Sequence, residues 1–338
     1  MIYKSNQSMQ LSIIVPVFDR PSEVKDLLES LSAQTDTSFE VLIVEDGSSV
    51  RCEQEVKAFE ERLDIRYIYK ENSGPGQSRN MGSELSSGDY LIFLDSDCVL
   101  PTGYIETIKR ELLADYADAF GGPDSARADF TPIQRAINYS MTSFFTTGGI
   151  RGGNEKMEKF HPRSFNMGYS RRVYESTGGF SAMRFGEDID MSIRIINLGF
   201  KTRLIKEAYV YHRRRTNLRR FFKQVYNSGI ARINLYKRHP HSLKIVHLAP
   251  AIFTIGVVMI MVLSLCWSPY FLLLLAFHAV FIGLDAAVRN RSIIIGLLAI
   301  AASYIQLIGY GLGFIHAFIV RILLRKDEFA MFQRSFYK

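Results

Sequence analysis

Asp95 and Asp97 close an apolar run, Tyr90-Leu-Ile-Phe-Leu94, with two carboxylates spaced i, i+2. Four or five consecutive apolar residues match a strand covered on both faces. In open α/β sheets, ligands bind beyond the carboxyl ends of such strands. The two acids therefore belong at a binding crevice rather than in the core. Carboxylates are hard oxygen donors suited to Mg²⁺ or Mn²⁺, whose remaining positions commonly take substrate phosphates. Taken alone, an Asp-x-Asp turn serves equally well as the cap of a following helix, so the flanking elements must decide.

Those elements alternate. Ser12–Phe18 reads as a strand ending at Asp19, and Ser22–Gln34 as a helix with Leu27, Leu28 and Leu31 on one face. Val41–Val44 is a second strand, ending in Glu45-Asp46-Gly-Ser-Ser. A helix over Glu53–Arg62 and a strand over Ile65–Tyr69 follow, and then the Gly-rich turn Asn72-Ser-Gly-Pro-Gly-Gln-Ser-Arg-Asn80 opens a helix. Free backbone N–H groups and Arg79 can meet an anion there, although a lone Arg at such a place is also compatible with a solvated surface. Strand and helix in this rhythm give a mostly parallel sheet with right-handed crossovers.

With these motifs in place, the chain resembles the family-2 glycosyltransferases of the GT-A fold. Val15-Pro-Val-Phe-Asp-Arg20 looks like that family's opening strand, Val44-Glu-Asp-Gly-Ser48 like its base loop and Asp95-Ser-Asp97 like its metal motif. Asn166-Met-Gly, Gly178-Gly-Phe180 and Gly186-Glu-Asp-Ile-Asp190 fall in the family's order, so the resemblance covers roughly residues 11 to 215. It implies a nucleotide-diphosphate sugar donor, a UDP-sugar before a GDP-sugar. Asp19 and Asp46 are then expected on the nucleoside, Asp95 on the ribose side and Asp97 on the metal at the diphosphate. Glu45 stands where the family more often has Asp. Such a leaving group gains negative charge as its bond breaks, and a bridging metal stabilises that charge.

Asp188 stands in the first turn of a helix whose stripe is expected to be Ile189, Ile193 and Ile196, about 100° away from it. A carboxylate there interacts favourably with the helix dipole. It can also act as general base, accepting a proton from a hydroxyl that attacks the anomeric carbon; in-line attack inverts that centre. Glu187 is the second choice of base, and Asp190 is expected on the outer face. His212 ends Ala208-Tyr-Val-Tyr-His212, where family members often carry a histidine near the metal, and is taken as a second metal ligand.

After residue 245 the composition changes. Leu248–Trp267, Tyr270–Val288 and Ile293–Val320 are long apolar stretches, each enough for a hydrocarbon core of about 30 Å. Ser268-Pro269 carries no charge and Arg289-Asn-Arg291 does, which turns the first loop outward and the second inward. The enzyme domain is thereby expected in the cytosol, on a multi-pass protein of the cytoplasmic membrane. Tyr304, Gln306, Tyr310 and His316 among glycines point to a re-entrant or interfacial third stretch. Asp285 should face protein or the interface.

Residues 213 to 244 hold ten Lys or Arg and no acid in a chain of net charge +7, leaving −3 elsewhere. Interleaved Phe221, Phe222, Tyr226 and Tyr236 make this a cationic amphipathic helix suited to an anionic leaflet, not to nucleic acid. The expected organisation is a catalytic domain over 1–215, a basic juxtamembrane segment over 216–245, transmembrane or interfacial helices over 246–326 and a tail over 327–338. Three scattered cysteines suit a reducing compartment, and no basic-then-apolar leader opens the chain. Residues 123 to 160 read as an irregular excursion with a helix near Ile133–Phe145, placed where acceptor loops are inserted. The acceptor is expected to be a hydroxyl of a glycan or lipid-linked sugar. The alternatives are a polyprenyl-phosphate acceptor, which needs no base, a processive synthase, for which no Gln-x-x-Arg-Trp is found, and a dead nucleotide-sugar-binding domain.

Overall fold

The computed structural model describes residues 9–125, 130–147, 161–183, 185–212 and 217–327. In chain order the first unit holds β1 (Leu11–Val17), α1 (Pro21–Ser32), β2 (Phe39–Asp46), α2 (Glu53–Lys57), β3 (Asp64–Lys70), α3 (Pro75–Leu85), β4 (Tyr90–Leu94), β5 (Cys98–Val99), α4 (Tyr104–Ala114), β6 (Ala119–Gly121) and β7 (Asp124–Ser125). The chain then gives α5 (Pro132–Thr142) and α6 (Phe144–Thr147) to a second, helical unit. It resumes the first with β8 (Asn166–Ser170), α7 (Arg171–Thr177), α8 (Glu187–Asn197), β9 (Thr202–Leu204) and β10 (Val210–His212).

The main sheet has the order β3-β2-β1-β4-β8-β6-β9. β1 pairs parallel with β2 and β4, whereas β8 runs antiparallel between β4 and β6. Alternate side chains of the central strands enter two cores. Ile13, Val15, Val41, Ile43, Ile92 and Leu94 pack on one face, and Ile14, Leu42, Leu91 and Phe93 on the other. Continuous apolar runs are what a sheet buried on both sides demands. Val24, Leu27, Leu28 and Leu31 of α1 are buried at helical spacing. The helix expected over Glu53–Arg62 stops at Lys57, because the chain tightens to i→i−3 bonds, Phe59 to Val56 and Arg62 to Phe59. A small sheet, β5-β10-β7, brings β10 beside the residue after Asp97.

The second unit adds α9 (Leu218–Arg238), α10 (Ala249–Cys266), α11 (Leu272–Asn290) and α12 (Ile293–Ala317), which continues in a π-helical turn, Phe318–Leu323. Three segments here are long and apolar enough to cross a membrane: Ile245–Cys266, Pro269–Asn290 and Ile293–Leu323. The re-entrant reading of the third gives way to an unbroken helix. Its glycines serve packing, since an added Cβ at Gly313 would lie 2.0 Å from the Tyr226 carbonyl, and one at Gly229 2.2 Å from that of Tyr310. Close backbone approach at small residues is how helices associate in lipid. The apolar face of α9 therefore meets α12, not a leaflet, with Phe221, Val225, Ile230 and Ile233 buried. The basic residues Arg219, Arg220, Lys223, Lys237 and Arg238 stay exposed.

α5 is the helix of the expected excursion. A reciprocal capping box between Thr131 and Gln134 starts it, and Ala136 and Ile137 share a core with Ile282, Ala286, Ile295 and Ala299. Its Tyr139 hydroxyl donates to Asp285 (2.7 Å), which also accepts from Arg289 (2.9 Å). Asp285 thus faces protein, as its cost in lipid requires.

Candidate active site

The carboxyl ends of β1, β2 and β4 lie side by side and deliver Asp19, Asp46, Asp95 and Asp97. Asp19 takes a left-handed conformation (φ 50°), which Asp tolerates better than most residues. Its carboxylate accepts from the backbone N–H of Ser49 (2.7 Å) and Val50 (2.9 Å), tying the ends of β1 and β2 together. Asp46 is fully buried. It accepts from the N–H groups of Ser73 (2.9 Å) and Gly74 (2.8 Å) and pairs with Lys70, so it shapes the Gly-rich turn from below. Glu45 points to the opposite face of β2, accepting from the Cys52 N–H (2.9 Å) and the Tyr67 hydroxyl (2.7 Å). A longer acid than the family's usual Asp thus has its own partners in the core.

The turn leads into α3, whose first residue is Pro75 and whose Gly74 cap has φ 97°. Arg79 is buried rather than solvated. Its guanidinium donates to Asp95 (2.9 Å) and Glu187 (3.1 Å) and lies 5.3 Å from the Phe180 ring centre. Burial alone would lower its pKa, but Asp95, Glu187 and the nearby Asp188 outweigh burial and hold it above the ordinary value. Asn80, next in sequence, clasps the Gly178-Gly-Phe180 motif through the Phe180 N–H (2.7 Å) and carbonyl (2.8 Å). Asn166 is structural, accepting from the Tyr104 hydroxyl (2.6 Å) and donating to the Ala208 carbonyl (2.8 Å).

The acids of α8 divide their tasks. Burial and the nearby Asp188 push Glu187 up to about 7, with Arg79 opposing. Asp188 remains partly accessible, with its carboxylate 3.2 Å from an Arg163 nitrogen. Asp190 is buried, contrary to the expected outer position, and accepts from Arg194 (2.9 Å). The buried stripe is Glu187, Met191 and Ile195 instead of Ile189, Ile193 and Ile196. Periodicity of apolar residues cannot register a stripe that begins with a carboxylate, Glu187, met by an arginine of another helix.

Asp97 pairs with Arg20. Burial works against the Arg20 charge, but Asp97 more than reverses this and raises its pKa. His212 ends β10 opposite Cys98, which places its backbone near Asp97, while its side chain lies outside the described residues. Among the described residues no cluster of three or more His, Cys, Asp or Glu could hold a metal. The carboxylates at the end of β4 are hard oxygen donors of the kind a divalent ion takes together with waters and phosphate oxygens. Arg20, Arg163 and the partnership of Arg79 with Glu187 were not legible in the sequence, since nothing marks an arginine for a carboxylate in a distant element.

The profile of Glycosyl transferase family 2 matches residues 12–178, which run from the second residue of β1 to just past the end of α7. Residues 12–178 form a glycosyltransferase family 2 domain. Within and around it, an uncharacterized glycosyltransferase of Haemophilus influenzae is 46% identical over 93 residues, 27% of this chain and 31% of that protein. EpsJ of Bacillus subtilis, also an uncharacterized glycosyltransferase, is 23% identical over 214 residues, covering 61% of this chain and 62% of its own. The chain spans about a third or less of the length of the first curated relatives it matches. A mannosyltransferase of Pyrobaculum calidifontis, solved with GDP-Man and Mn²⁺, has a TM-score of 0.62 at 16% identity, covering 95% of this chain and 89% of that one. At that identity the likeness shows the fold, and it extends past the family 2 domain into the helical unit.

Proposed function

We propose that this protein is a metal-dependent, inverting glycosyltransferase. It passes a sugar from a nucleotide-diphosphate donor to a hydroxyl of a glycan or lipid-linked acceptor at the cytosolic face of a membrane. The observation that carries the reading is the Arg79 bridge between Asp95 and Glu187, which couples the donor-side acids of β4 to the helix bearing Asp188. The P. calidifontis enzyme's GDP-Man and Mn²⁺ support a nucleotide sugar and a divalent ion.

In this reading Asp19 and Asp46 fix the loops that receive the nucleoside, Asp95 faces the ribose and Asp97, with His212, holds Mg²⁺ or Mn²⁺. The ion, when bound, supplies positive charge to the diphosphate as it leaves. Asp188 accepts the acceptor's proton, and the neighbouring Glu187, held by Arg79, shapes its field. Arg20 pairs with Asp97 and, on this reading, follows the diphosphate. Lipid facing the apolar helices and an anionic surface facing the basic residues of α9 anchor the enzyme.

Arg163 beside Asp188 favours a second reading, in which an anionic lipid phosphate takes Arg163 and needs no base. Screening the purified protein for metal-dependent hydrolysis of a panel of nucleotide sugars tests the donor half. No hydrolysis and no binding across UDP- and GDP-sugars would sink it.

A further inference from the structure

Three apolar segments match a bilayer by length and composition, but we propose that only α10 and α11 cross it. α12 instead lies along the membrane surface, on the side of α5 and α9, with one apolar face in the acyl–headgroup boundary.

Chain connectivity carries the argument. Six residues, 126–131, join β7 to α5, and five, 213–217, join β10 to α9. At no more than about 3.6 Å per residue these reach roughly 22 Å and 18 Å. Neither spans a hydrocarbon core of about 30 Å, and β7 and β10 pair with each other, so α5 and α9 begin on one side of the membrane; neither is among the described segments apolar enough to cross it.

Each of them holds one end of α12. α5 shares a core with Ile295 and Ala299, and its Arg135 donates to the carbonyl of Asn290 (3.3 Å), just before α12 begins. α9 runs alongside the other end in the same direction: Val225 lies against Gly309, Tyr226 against Gly313, and Asn234 accepts from Arg321 (3.0 Å). Both ends of α12 therefore lie on one side, which a crossing helix cannot satisfy.

Exposure separates the helices in the same way. Protein covers little of α10, 11% against 39% for α12, and α10 bares Ile252, Ile255, Val258, Met259, Val262 and Leu265. α12 bares Ile294, Leu297, Leu312, Ile319 and Leu323 at helical spacing, while Gly296, Ala299, Ser303, Gly309 and Gly313 are covered. A one-sided apolar stripe on a helix with covered small and polar residues is the pattern of an interfacial segment. Arg321, buried against Asn234, is expensive within hydrocarbon and inexpensive at the surface. Two crossings also put Arg289, Arg291, Arg325 and Lys326 on the side of the α9 basic residues, as the positive-inside rule requires.

Sealed vesicles of the full-length protein with an impermeant maleimide test this. Cys266, exposed at the α10–α11 connection, is the native probe, and Cys52 and Cys98 are buried. The expected result is Cys266 modified only from one face, with Arg219→Cys and Leu324→Cys both modified only from the other. Labelling of Leu324→Cys from the Cys266 face means three crossings and overturns the proposal. Labelling of Cys266 from the Arg219→Cys face means no crossing and overturns it as well. Protease treatment of a C-terminal tag on the otherwise unaltered protein reads the same point without a substitution: loss of the tag from the Arg219 face is expected, and protection there overturns the proposal.

Discussion

Arg79 and Glu187, 108 residues apart in sequence, meet at 3.1 Å in a buried ion pair, while the other branch of the same guanidinium holds Asp95 at 2.9 Å. One fork thus fixes the end of β4 against the first turn of α8. Arg79→Met leaves two carboxylates facing each other without their cation. Breaking a buried pair from one side costs roughly 3–5 kcal/mol. Denaturant unfolding of the detergent-solubilised protein should show a loss of that order together with loss of turnover. Arg79→Lys should fall between, because a point charge cannot bridge both acids with fork geometry. An unchanged unfolding curve for Arg79→Met would remove the bridge from the architecture.

The same pair sets a pH dependence. Glu187 is pushed up to about 7 by burial and Asp188, against an ordinary 4.5 in the unfolded chain. The folded state therefore binds its proton more tightly, and this contribution is full below about 4.5 and lost as pH rises through about 7. The melting temperature should fall as pH rises from about 4.5 to about 7 and level off above it, and Glu187→Gln should flatten that slope. Parallel profiles for parent and variant would show that another group titrates.

Packing between α9 and α12 makes a separate prediction. A Cβ at Gly313 meets the backbone carbonyl of Tyr226, which no side-chain rotation relieves. Gly313→Val should destabilise the helical unit by at least about 1–3 kcal/mol, the usual cost of overpacking, whereas Gly256→Val, with open space around it, should not. Thermal unfolding in detergent compares the two, and equal melting temperatures for both variants count against the interface.

Metal use rests on Asp97. Asp97→Asn should abolish turnover and leave the melting temperature near that of the parent, and chelation with EDTA should silence the parent. Full activity of the variant in EDTA ends the assignment.

Much of this fold could be read in advance because its central strands are continuous apolar runs terminated by acids, a pattern set by burial on both faces. Asp95 and Asp97 could be placed beyond the end of β4 for the same reason, because the apolar run that precedes them marks where the strand stops. What escaped was the pairing of charges across distant elements. Arg20 and Arg163 carry no local mark at all, and Asp190 looked like an outer-face residue although Arg194, one turn along the same helix, makes its burial tolerable. Likewise, the glycines of α12 read as breaks when considered singly, yet against Tyr226 and Val225 they are contacts.

Asp188 and Arg163 separate the two acceptor chemistries. If Asp188 deprotonates a hydroxyl, Asp188→Asn should leave donor affinity nearly unchanged, by calorimetry with the nucleotide sugar, and lower transfer by on the order of 10²–10⁴. Arg163, whose nitrogen lies 3.2 Å from that carboxylate, then restrains the base, and Arg163→Ala should change transfer less than Asp188→Asn does. A lipid phosphate acceptor reverses the ranking. It arrives already ionised, so Asp188→Asn should transfer near the parent rate, while Arg163→Ala should raise the acceptor KM with kcat little changed. Product formation on lipid-linked sugars and on polyprenyl phosphate, measured for both variants, distinguishes the cases. Near-parental transfer by Asp188→Asn to polyprenyl phosphate would reassign Asp188 to the helix terminus and Arg163 to the acceptor.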